Sequence, residues 1–117
     1  VYYISPADSD GNIIGDQQAT LSVLLWTAFQ APANPSWADI GAVFGAYARM
    51  YPGMKARLDI SDQQTVAGFA PVVLSHMSKP FSDPAYMPVT RDLSPSKMNM
   101  IVSWLQNLVQ KSATPNA

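Results

Sequence analysis

A chain of 117 residues with 48% hydrophobic side chains, eight Asp, no Glu, seven Lys and Arg, one His and no Cys has the size of one domain around one core. The lack of Glu excludes Glu-x-x-His di-metal bundles and the His-Glu-x-x-His zinc helix. The lack of Cys excludes zinc knuckles, iron–sulfur ligands, disulfides and covalent haem attachment. A formal net charge of -1, with cations scattered singly as Lys79, Arg91, Lys97 and Lys111, gives no footprint for nucleic acid or an anionic membrane. The apolar stretches fall short of the roughly 18 residues of a membrane span, so the chain reads as soluble. Beginning at Val1, it reads as a processed product or a piece of a longer polypeptide, with a processed or exported protein favoured.

In chain order, Val1 to Ile4 is strand-prone and leads through Ser5-Pro6 into a cluster of turn formers, Asp8-Ser9-Asp10-Gly11-Asn12, so that residues 1–15 form an arm and loop. A first helix is expected over 16–30, from an N-cap at Asp16 through Leu21, Leu24, Leu25 and Phe29 until Pro32 and Pro35. A second begins at Ser36, where Asp39 completes a capping box, and its face is Ile40, Val43, Phe44, Tyr47 and Met50 or Tyr51. Gly41 and Gly45 beside that stripe invite a close neighbouring helix. A third helix starts at a capping box read as Ser61-Asp62-Gln63-Gln64 and buries Val66, Phe69, Val73 and His76 or Met77, with a kink or break expected near Gly68 to Ala70 because Pro71 removes a backbone hydrogen bond. Pro80 to Leu93 is a proline-rich loop carrying Phe81, Tyr86 and Met87. Ser94-Pro95 then caps a last helix through Met98, Ile101, Trp104, Leu105 and Leu108, with 112–117 as a flexible tail. The expectation is a single all-α domain: a compact bundle of about four helices, its helical core spanning 16–111.

Two segments suggest ligands. Asp8, Asp10, Asn12, the Ile14 carbonyl and Asp16 follow the spacing of calcium ligands 1, 3, 5, 7 and 9, and the segment resembles the DxDG loops of EF-hand, dockerin and thrombospondin type 3 repeats. It departs from them at Ile13, where the turn glycine belongs, and at Ala19, where the bidentate carboxylate belongs. Met87-Pro88, Leu93-Ser94, Ile101-Val102 and Trp104-Leu105 resemble the end of a c-type cytochrome domain, in which the Met-Pro supplies an axial thioether. That resemblance implies a haem ligand at Met87. With the attachment motif absent, the partner ligand in a noncovalent haem would be His76, the single histidine.

Nucleophilic catalysis has weaker support. Ser75 and His76 point about 100° apart on a helix, and neither Ser78 nor Ser82 sits in a nucleophile elbow. Arg49, Lys55 and Arg57 form a small basic group suited to a helix end or to an anion. Against this poverty of catalytic groups stand three Trp, five Tyr, four Phe and six Met. The balance favours a non-catalytic helical module that meets a larger subunit, or the remainder of a longer polypeptide, within an assembly such as an oxidoreductase. A calcium- or haem-binding module is the alternative.

Overall fold

The structure, a computed structural model, describes residues 2–4, 6–15, 19–21 and 23–114, with side chains described for 6–15 and 23–114. It is predominantly helical, with α1 Trp37–Met50, a 3-10 turn Pro52–Ala56, α2 Gln63–Gly68, α3 Ala70–Met77 and α4 Pro95–Ala113. Ahead of the helices, β1 Tyr2–Ile4 pairs antiparallel with β2 Ala19–Leu21 in the register Tyr2↔Leu21, Tyr3↔Thr20, Ile4↔Ala19. An isolated bridge, Ala7↔Ile13, carries the pairing to the tip. There the Asp8 N–H donates to the Asn12 carbonyl at 2.9 Å, and Gly11 takes the left-handed φ of +85° that the tight turn requires.

The helix expected over 16–30 does not form. Residues 16–18 and 22 lie outside the described residues, Ala19–Leu21 is strand, and 23–35 has no regular structure. Helical spacing at Leu21, Leu24 and Leu25 is only half the pattern. The apolar run from Val23 to Trp26 is continuous, and Thr20, Val23 and Thr27 favour extended backbone. A helix this short is stable only when one face is buried, and no helix covers this segment. Instead the non-helical chain, free of the short rise of about 1.5 Å per residue that a helix imposes, reaches the body. Trp26 Nε1 donates to the Asp92 carbonyl at 2.7 Å, and Phe29 packs on the core under Lys97, whose Nζ stands 5.4 Å from the ring centre.

The helical body therefore begins at Trp37 rather than at residue 16, and α4 continues to Ala113. Asp39 caps α1, accepting the Ser36 N–H at 2.8 Å. Asp62, one residue later than the expected Ser61, caps α2 by accepting the Thr65 N–H at 2.7 Å, while Ser61 turns back to Asp59. The break between α2 and α3 falls at Phe69, with Pro71 in the first turn of α3, where its missing N–H costs nothing. The break shifts the helical phase and leaves Phe69 exposed, contrary to its expected burial. Ser94 caps α4, accepting the Lys97 N–H at 3.4 Å.

The core joins Ile40 and Phe44 of α1, Val66 of α2, Ala70 and Met77 of α3, and Met98, Met100, Ile101, Trp104 and Leu105 of α4, closed by Tyr86 and Leu93 from the loop. Trp37 lies 5.5 Å from Trp104 and 6.3 Å from Phe44, ring centre to ring centre. Gly41 makes room for that indole, since a Cβ there would come within 3.1 Å of the Trp37 ring. The close approach anticipated at Gly41 is thus to its own helix's tryptophan. The whole molecule measures 72 × 32 × 24 Å, and its radius of gyration of 19.7 Å exceeds the about 13 Å of a compact domain of this length. This corrects the expectation of a compact bundle, because the N-terminal arm extends the particle.

Candidate functional site

A half-open groove of about 280 Å³ lies between α1, the 3-10 turn, α3 and the loop before α4. Its walls follow from local sequence rules. Tyr47 and Tyr51 stand four apart on the last turns of α1, so they share a face with Phe44. Pro52 starts the 3-10 turn that brings Met54 and Leu58 across the end. Val72, Val73, His76 and Met77 come from one side of α3, and Met87-Pro88-Val89 forms the lip.

That lip is held by Arg91, a residue the sequence reading passed over as a scattered cation. Its guanidinium donates from Nε to the Phe81 carbonyl at 2.8 Å, from Nη1 to Val89 at 2.8 Å and from Nη2 to Asp83 at 2.9 Å. It also stacks near the Phe81 and Tyr86 rings, at 5.6 and 5.5 Å. Three carbonyls from different parts of Pro80–Leu93 converge on one planar fork, which a sequence pattern cannot announce. Asp92 is a second node. Its carboxylate accepts from the Thr90 hydroxyl and from the Tyr47 hydroxyl at 2.8 Å, and its carbonyl takes the Trp26 indole. Thr90 and then Tyr47 hold the Asp92 carboxyl below its ordinary range. Desolvation, followed by the bond to Asp92, pushes the Tyr47 phenol well above its own.

His76 and Met87 do meet at this groove. The Met87 N–H donates to the His76 carbonyl at 3.3 Å, and both side chains line the cavity. Axial haem ligands must approach iron from opposite faces of the macrocycle, whereas the backbones of these two residues are bonded directly to each other, which leaves no room for a macrocycle between them. No Lys or Arg lines it to receive propionates. The residues therefore do not fit a haem held between them. His76 Nδ1 lies 2.9 Å from the Val72 carbonyl. A carbonyl can only accept, so Nδ1 is the donor in this bond.

Of the calcium-type residues, Asp16 lies outside the described residues. Asp8 Oδ1 accepts the N–H groups of Asp10 and Asn12, both at 2.9 Å, and Oδ2 accepts the Asn12 side-chain amide at 3.1 Å. The Asn12 N–H bond leads the causes that lower the Asp8 pKa. These are the bonds of an Asx turn closing a hairpin, and they take up most of the accepting capacity of the Asp8 carboxylate. Ile14 spends its N–H on the Pro6 carbonyl at 2.8 Å. Among the described residues, no group of three or more acidic or histidine side chains is placed to hold a metal.

Ser75, Ser78 and Ser82 are all exposed, and no bond joins any of them to His76 among the described residues. In the basic group, Lys55 pairs with Asp59 at 3.7 Å. Compared with known proteins, the chain matches no family model, no curated protein and no solved structure.

Proposed function

We propose that the chain is a non-catalytic helical module that joins a larger protein assembly through its N-terminal arm. One observation carries the reading. Val23, Leu24, Leu25 and Trp26 are apolar and 50, 54, 79 and 48% exposed, and among the described residues nothing from 23 to 35 enters a backbone–backbone hydrogen bond. A segment outside regular structure, with no backbone–backbone bonds among the described residues and with exposed apolar side chains, has the chemistry of a strand that adds to a partner's sheet edge. Main-chain bonds would supply affinity, and alternate side chains would enter pockets. The partner is accordingly a protein with an open strand edge flanked by apolar pockets. No helix of the described residues is long and apolar enough to cross a membrane.

Sedimentation of the isolated chain tests this. The wild type is expected to self-associate or to bind a reporter dye for apolar surface, and the double variant Leu24→Asp, Leu25→Asp to run as a monomer with an unchanged melting temperature. A wild-type chain that is already a monodisperse monomer, with dye binding equal to the variant's, refutes the proposal.

A further inference from the structure

We infer that the groove between α1, α3 and the Met87-Pro88-Val89 lip is a binding site for a small uncharged ring molecule that carries one hydroxyl at its edge. The inference is independent of the arm. Three features of the groove define the ligand.

The first is size. About 280 Å³ is close to twice the roughly 150 Å³ cavity that takes up benzene, so two fused rings fit and a drug-sized molecule does not. The second is charge. No Lys, Arg or Asp lines the groove, so a carboxylate, phosphate or ammonium would be desolvated without a partner. Met54, Met77 and Met87 are three of the chain's six methionines, and their polarizable thioethers adapt to the edges of an aromatic body. The third is polarity confined to a few side-chain tips. The Tyr47 hydroxyl donates to Asp92 and His76 Nδ1 is paired with the Val72 carbonyl, and among the described residues no hydrogen bond engages His76 Nε2 or the Tyr51 hydroxyl. A hydroxyl on an aromatic ring can donate to one of these and accept from the other without bringing a charge.

The test uses the full chain labelled at its methionine methyl groups and 2-naphthol as the probe, followed by NMR. Saturable shifts are expected at Met54, Met77 and Met87, with Met50, Met98 and Met100, which do not line the groove, unmoved. 2-Methoxynaphthalene has the same rings without the donor and should bind about threefold to tenfold more weakly, the range of one hydrogen bond. 2-Naphthoate should not bind. In His76→Leu the preference for the hydroxyl should shrink while 2-methoxynaphthalene binds as before.

Equal binding of 2-naphthol and its ether to the wild type overturns the role of His76 without recourse to a variant. Shifts spread evenly over all six methionines, or none at the three in the groove, overturn the site. The same three methyls moving with protein concentration alone would assign the groove to a second copy of the chain and overturn the ligand.

Discussion

Arg91 has a positive φ of 53°, which a branched or bulky residue adopts only when its surroundings hold it there. The holding groups are the three carbonyls on its guanidinium and the two rings beneath it, so the side chain maintains the backbone it distorts. Lysine keeps the charge but has no planar fork to bridge three fixed acceptors. Arg91→Lys should lower unfolding stability by about 2 kcal/mol, as judged by urea titration, and loosen the lip of the groove before the helices melt. Asp39, Asp62 and Asp92 act at the same scale. The leading cause lowering each carboxyl is a bond from Ser36, Thr65 and Thr90 respectively. Each is more acidic folded than in the unfolded chain, where about 3.9 is usual, so the unfolded state takes up protons first as the solution is acidified. Their contribution is complete above about pH 5 and fades as the pH drops through the folded values. Thermal melts should be level from pH 5 to 8 and fall below about pH 4. Asp62→Asn should melt lower at pH 7 and show a shallower acid decline.

At the scale of elements, α4 organises the body, since Ile101 and Leu105 are fully buried and α3 packs along it. Ile101→Ala should cost about 2 to 5 kcal/mol in chemical denaturation, the range for a large core residue reduced to alanine. This helix was legible in the sequence because its signals are local: Ser94-Pro95 at the start and an apolar stripe at helical spacing behind it. The same holds for α1, whose Ser36 and Asp39 lie three apart, and for the interruption before Pro71. Local rules failed where the outcome depended on distant groups. Leu21 to Phe29 has partial helical spacing, but the Asp92 carbonyl that anchors Trp26 is 66 residues away. Phe69 fits the stripe of a continuous helix and leaves it once the chain breaks there. Of the groove, His76 and Met87 were legible as residues worth watching. The bond between their backbones was not, because it depends on how the Arg91 loop folds back against α3.

The whole molecule combines a small packed body with an arm that its own helices do not cover. Small-angle scattering of the monomeric Leu24→Asp, Leu25→Asp variant should give a radius of gyration near 19.7 Å. A value near 13 Å would mean that the arm folds back onto the helices, and would remove the reason for assigning it to a partner.

From Gln17 to Ala38 the chain carries no charged side chain, and within that stretch lies the bare apolar run of Val23 to Trp26. Like charges keep exposed strands of neighbouring molecules from stacking, and proline is the other common gatekeeper; here the first proline, Pro32, comes after Phe29. Copies left without a binding partner therefore hold an open template for cross-β growth while their helices remain fully native. The shelf life of the purified material should therefore follow this segment rather than the melting point of the body.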